Sequence, residues 1–404
     1  NIDAKPTPSI LRGFTAPVTV KSDFLSNQQY EHLIEHDTDA FVRWDSMQTL
    51  MMQEITTQLN RAKNGEPVII TAEFAKLYSA LMNDDSLPPD FKSNLLTIRS
   101  YSSLLKVVDN VNPPELHKVL LEIQSQLALQ NEAKLNQIVT SALDSPIIDE
   151  LFSLEKPEIA KQRDIFLYAV AMLCSTKQTN YLELAQKLAR EKTNFTTVYN
   201  SYIAYFTSQQ ENFNLINNPI NQTLYEKFKV NTNLIEKWLV LQAMIPAKDI
   251  LDHIENLVSG KTAGFDISHP HQCFRLLGTF MNSNPAFHDV SGRGYKLMAD
   301  CILKIDTEVK NYNIAAGLAS SFAPSPNMSE RNKTLAYQEL FRLRQDTRIS
   351  TDLKEIIDKS LAGTEFDPNA DRRIARLCLT AFKPFDVQAE VSDVDATKVD
   401  QHLA

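Results

Sequence analysis

From Asn27 to Ala362 apolar residues return every three or four positions, the period of a helix with one buried face. Trp44, Met47, Met51, Ile55 and Leu59 form one such stripe, and Gly65 follows as a stop. Phe74, Leu77, Tyr78 and Leu81 form the next. Asn112-Pro113-Pro114-Glu115 is a helix start: a capping side chain, proline in the first turn, then an acid against the positive end of the macrodipole. Leu116, Val119, Leu120, Ile123 and Leu127 line the face behind it. The same spacing predicts helices over 158–176, 179–191, 193–208, 222–229, 232–244 and 249–258, then 270–281, 294–309, 311–322, 329–344 and 351–361.

Within Phe265–Met298, Pro270 sits where a first turn tolerates a missing N–H, and Phe274, Leu277, Phe280 and Met281 recur at helical spacing. Asn284-Pro285 ends that helix, because proline disfavours the α region for the residue before it. Gly292 and Gly294 flank an exposed turn, after which Tyr295, Leu297, Met298, Cys301 and Ile302 open a new stripe. Glycine is scarce, 9 of 404, and alternating β patterns are missing after residue 25. Consecutive short-looped helices stack as antiparallel neighbours, and many in a row give an all-α superhelix, a HEAT/ARM-like solenoid. No fixed-period consensus supports tetratricopeptide or ankyrin repeats.

The ends read differently. Pro6, Pro8 and Pro17 make residues 1–25 an extended linker, with Val18, Val20 and Phe24 as a short strand or packed coil. The superhelical domain then runs over 26–362, and 363–404 is an extension. There Asp367–Asp371 is a polar break, Arg372–Phe382 can form one more amphipathic helix, and Val391–Gln401 is an acidic, loosely held tail. A first residue of Asn rather than Met fits a processed chain or a piece of a longer one.

A net charge of −9 argues against nucleic acid and anionic membrane as partners. No apolar run approaches the roughly 18 residues of a membrane span, and no signal peptide opens the chain. Of the four cysteines, Cys174, Cys273 and Cys301 fall on apolar helix faces as buried thiols; with Cys378 they form no C-x-x-C pair, which fits a cytoplasmic location. Trp44 and Trp238 sit in apolar patterns and read as core.

Two strings carry candidate chemistry. His32-x-x-Glu35-His36 puts two imidazoles one helical turn apart, the geometry of a zinc pair with a general base, yet no third ligand is identifiable. His269-Pro270-His271 places two imidazoles around a proline, and nothing at ligand spacing completes a site, so it reads as a turn opening a helix. No Walker, dinucleotide or nucleophile-elbow motif appears.

Several ordered strings resemble the aminopeptidase N family of zinc metallopeptidases. Pro6–Val18 resembles the family's linker into its last domain. His36–Leu50, with Phe41-x-Arg43-Trp44-Asp45, is similar to that domain's opening helices. Lys237-Trp238 with Leu241-Gln242-Ala243, then Phe265–Met298, resemble later helices, and Ile356–Ala362 its C-terminus. The resemblance covers about residues 6–362 and implies the C-terminal α-helical domain alone, without the family's zinc-binding and catalytic motifs. It thus implies no cofactor in this chain, with zinc in the parent's catalytic domain. It further implies docking on such a domain, in the same or a separate chain, where the superhelix caps the active-site chamber and restricts peptide access. The alternative is a stand-alone interaction scaffold derived from that family.

The same resemblance implies chamber-facing positions at His269, His271, Gln272, Phe274, Arg275 and Gly317. Family arginines facing the channel fall on Phe274 and on Gly317, and Arg275 stands one place along, about 100° round the helix. A wall without those guanidinium forks binds a terminal carboxylate less well.

Overall fold

A computed structural model of the chain describes residues 6–14, 25–145, 157–191, 194–209, 213–324 and 326–362. The expectations for Val18, Val20 and Phe24, for the helix Arg372–Phe382, for Cys378 and for the tail Val391–Gln401 lie outside the described residues.

The described residues up to Ala362 belong to one unit, and they are helical. The first half comprises α1 (Asn27–His36), α2 (Ala40–Lys63), α3 (Ala72–Asn83), α4 (Pro89–Leu96), α5 (Pro113–Gln130), α6 (Glu132–Leu143), α7 (Pro157–Ser175) and α8 (Thr179–Glu191). The second comprises α9 (Phe195–Gln209), α10 (Pro219–Phe228), α11 (Thr232–Met244), α12 (Ile250–Val258), α13 (270–283), α14 (Arg293–Lys304), α15 (Tyr312–Phe322), α16 (Glu330–Gln345) and α17 (Thr351–Leu361). Among the described residues the one β contact is an isolated parallel bridge, Val111 to Met328. The all-α superhelix expected from the spacing is what forms.

Local chemistry sets the helix starts. Ser26 Oγ accepts the Gln29 N–H at 3.3 Å and Gln29 Oε1 accepts the Ser26 N–H at 3.0 Å, a reciprocal capping box at α1. Asn112 Oδ1 accepts the Glu115 N–H at 3.3 Å, as the Asn-Pro-Pro-Glu string predicts, and Leu116, Val119, Leu120, Ile123 and Leu127 are buried. At the end of α13, Asn284 turns to an extended conformation before Pro285, and its Nδ2 donates to the Ala243 and Ile245 carbonyls at 2.8 and 3.0 Å.

Most helices pack on others one to three places along the chain: α2 on α5, α7 on α4, α5, α6 and α9, α14 on α15 and α16, α15 on α17. One apolar cluster runs from Tyr30 to Ala204, the next from Ala189 to Ile357, so the core is a ribbon threaded between helix layers. Met328 breaks that order: it lies late in the chain and packs in the first cluster. Its loop is tied there by Val111 N–H to Asn327 O at 2.9 Å, Ser329 N–H to Val111 O at 2.9 Å, and Asn327 Nδ2 to Lys106 O at 2.7 Å.

Four details depart from the sequence reading. Residues 6–14 are not wholly extended: Arg12–Phe14 forms a 3-10 turn with Gly13 at φ +69°, because Arg12 reaches Asp37 at 2.7 Å and Gly13 N–H reaches Asp39 Oδ2 at 2.9 Å. Helices α4 and α6 form in addition to those the spacing predicts. Phe274–Gly278 and Ile305–Val309 are π-helical. Gly294 is buried rather than flanking an exposed turn, because a Cβ there would stand 2.5 Å from the Phe287 carbonyl oxygen.

Cys174, Cys273 and Cys301 are buried free thiols, each pushed up to about 12 by burial. Trp238 is buried and donates to Asn221 Oδ1 at 3.2 Å; Trp44 is partly buried, with the Arg99 guanidinium over its ring. Among the described residues no helix is long and apolar enough to cross a membrane.

Candidate functional site

The six residues singled out by the sequence fall on two helices that cross. His269 to Arg275 open α13, and Gly317 lies in the middle of α15. The opening turn is a closed hydrogen-bond unit. Asp266 Oδ1 accepts the Ser268 N–H and hydroxyl at 2.9 and 2.7 Å, and Gln272 Oε1 accepts the Asp266 N–H at 2.8 Å. His269 caps the helix, its Nδ1 accepting the Gln272 N–H at 3.4 Å. His271 is exposed beyond it, the two rings 6.1 Å apart between centroids. Gln272 is therefore committed to the turn, while His271 is not.

One turn later the helix widens into the π segment Phe274–Gly278, which alters the direction of each side chain relative to a regular helix. Phe274 is left 43% exposed. Its ring lies against α15 at Gly317: a Cβ on that glycine would meet Phe274 Cζ at 3.0 Å and Cε1 at 3.3 Å. A mid-helix glycine costs about 1 kcal/mol relative to alanine. Here the missing side chain is the space the ring occupies. Gly278 on α13 faces Leu318 more loosely, a Cβ there lying at an ordinary contact distance of 3.7 Å from Cδ2. The two positions where the resemblance expects arginine are thus brought together as a neutral aromatic-on-glycine contact.

Arg275 points elsewhere. Its Nε is 3.7 Å from Glu236 Oε2 on α11, a long pair with Arg275 half exposed and Glu236 largely covered. Tyr199 on α9 lies within reach of that guanidinium; burial pushes its phenol up to about 12, with the Arg275 charge pulling the other way. Glu236 was not singled out from the sequence, where it is one acid beside Lys237 and carries no distinguishing signal. The surface so formed offers an aromatic face, an exposed imidazole and a guanidinium that faces a carboxylate.

The other candidate pair, His32 and His36 on α1, does share a face, with ring centroids 4.8 Å apart, and His36 Nε2 lies 3.6 Å from Glu35. Among the described residues no three His, Cys, Asp or Glu side chains are grouped so as to hold a metal ion.

A family model described as a domain of unknown function (DUF3458_C) with ARM repeats matches residues 27–362. Aminopeptidase N of Escherichia coli (strain K12) is 25% identical over 364 residues, 90% of this chain and 40% of that protein. Aminopeptidase N of Caulobacter vibrioides is 26% identical over 364 residues, covering 89% of this chain and 40% of its own length. Among solved structures, Legionella pneumophila aminopeptidase A in complex with aspartic acid superposes with a TM-score of 0.76 at 23% identity, over 90% of this chain and 42% of that one. The chain therefore spans about 40% of the length of the curated relatives it matches.

Proposed function

Because this chain belongs to the DUF3458_C family of ARM-repeat domains, and is homologous to the C-terminal part of aminopeptidase N, we propose that it is the non-catalytic helical domain of a zinc aminopeptidase. In this reading it docks on a zinc-bearing catalytic domain, in the same or a separate polypeptide, and caps the active-site chamber so that only short peptides enter. Zinc, nucleophilic water and general base then belong to that partner domain, with the cytoplasm as the working compartment. The observation that carries the proposal is coverage. The aligned region takes in nearly all of this chain and well under half of each relative, so what is shared is a domain.

The test is to mix the chain with the catalytic portion of its parent and follow an alanyl anilide and a long peptide side by side. Alone, the chain should cleave neither substrate and hold no stoichiometric zinc. Added to the catalytic portion, it should bind and depress long-peptide cleavage while sparing the anilide. Zinc-dependent hydrolysis by the 404 residues alone, or addition without effect on size selectivity, overturns the reading.

One observation favours a second reading, a stand-alone interaction scaffold. The surface at Phe274 and Gly317 is neutral, and Arg275 is paired with Glu236, so the groups that suit a peptide carboxylate are replaced by an apolar contact. Affinity isolation from the native source separates the two: a co-purifying zinc peptidase supports the lid, an unrelated assembly the scaffold.

A further inference from the structure

A cavity of about 490 Å³ lies between α4, α6 and α7, sharing no residue with the surface at Phe274. Its size falls in the range of small-molecule sites, roughly 300–1,000 Å³. Leu87, Ile138, Ile165 and Phe166 supply an apolar wall, and Ser141 and Gln162 add neutral polar groups. At one side stand Lys92, Lys134 and Asp85.

The Lys92 ammonium there has no close carboxylate partner. Lys92 is only 5% exposed, an unusual position for an ammonium group. Its Nζ donates to the Met82 carbonyl at 3.1 Å, and its nearest carboxylate oxygen, Asp85 Oδ1, stands at 3.6 Å, beyond hydrogen-bond distance. That oxygen is taken by Lys134 Nζ at 2.7 Å, while the Asp85 side chain is itself mostly in water. Asp84, the other acid alongside, accepts the Ser86 N–H and hydroxyl at 2.9 and 2.5 Å. Desolvation pulls the Lys92 ammonium below its usual range and the Lys134 charge adds to the pull, while Asp85 and, more weakly, Asp84 push back. A covered ammonium thus has no carboxylate within hydrogen-bond distance, whereas buried charges in proteins are ordinarily paired directly.

We propose that this cavity is a binding site for a small amphipathic carboxylate, whose head sits between Lys92 and Lys134 and whose apolar body fills the space beside Leu87, Ile138, Ile165 and Phe166. A fatty acid and an acylated amino acid share that chemistry; a free inorganic anion lacks the body and a neutral amide lacks the charge.

Calorimetric titration of the full chain with octanoate, octanamide and N-acetyl-leucine tests it. Octanoate or N-acetyl-leucine should bind saturably at one site, and whichever binds more tightly identifies the kind of body the cavity takes. Octanamide should bind at least about tenfold more weakly than octanoate, since a charge-assisted contact is lost. Lys134→Gln, at the margin of the cavity, should weaken carboxylate binding by about tenfold with its circular dichroism unchanged, and Lys92→Met should do so by more. Because Lys92 is buried and its variant can fail to fold, the Lys134 variant decides. Equal binding of octanoate and octanamide, unaltered binding by Lys134→Gln, or no saturable binding of either carboxylate at about 10 mM overturns the proposal.

Discussion

Loss of stability in mild acid should come chiefly from three histidines. His117, His253 and His288 each have one ring nitrogen buried without a partner: Nε2, Nδ1 and Nε2 respectively. The other nitrogen of His253 meets Gln242 Oε1 at 2.9 Å, and that of His288 meets the Tyr295 hydroxyl at 2.8 Å. An imidazolium needs two acceptors, and each site offers at most one. Burial accordingly lowers these rings to about 4, about 4 and about 3. The unfolded chain takes up protons near the ordinary value of about 6.5, so below it the unfolded state binds more protons than the folded one. Their full contribution is therefore present above that value and is lost as pH falls toward the folded values. At about pH 5.5 each ring accounts for RT ln 11, about 1.4 kcal/mol, and the three together for about 4 kcal/mol relative to about pH 8. Urea unfolding at the two pH values reads this directly. In His117→Phe, whose ring sits edge-on to Tyr101, the pH-dependent loss should shrink by about 1.4 kcal/mol. A wild-type loss under about 1 kcal/mol, or the same loss in the variant, refutes the reasoning.

Three substitutions test local packing. Gly294→Ala drives a methyl into the Phe287 and Ala286 carbonyl oxygens, at 2.5 and 2.7 Å, and should cost about 3 kcal/mol or more in thermal or urea unfolding. Gly317→Ala meets only the free end of the exposed Phe274 ring, so the ring swings aside; the helix gains propensity, and stability should stay within about 1 kcal/mol of wild type. Asp306, 1% exposed, accepts the Ser350 N–H and hydroxyl at 2.7 and 2.5 Å, so Asp306→Ala leaves the start of α17 without its acceptor and should cost about 1–3 kcal/mol by the same measurement.

Most helices were legible because each carries both a stripe and punctuation. The residues 179–191, 232–244 and 351–361 begin and end where spacing and flanking residues place them. Helix α4 is only eight residues long and buries Leu95 and Leu96 side by side, too little for a 3.6-residue period to declare itself. The π segments were illegible for a different reason: Phe274–Gly278 and Ile305–Val309 have ordinary helical composition, and nothing in their spacing marks a widened turn. At the candidate surface, helix placement was readable, but the partners were not. Nothing local to Phe274 announces Gly317, and nothing in Arg275 announces Glu236, since both contacts depend on how separate helices cross.

The bridge between Val111 and Met328 bears on how the molecule comes apart. A stack in which each layer touches only its neighbours can fray from either tip, one layer at a time. A strap joining positions as distant as Lys106 and Asn327, 221 residues apart, makes much of that stack a loop with its waist fastened. Amide exchange in α5 and in α16 should then slow together. Replacing Val111 with proline, which deletes the N–H that reaches Asn327, should release both helices at once and leave α10 and α11 as they were.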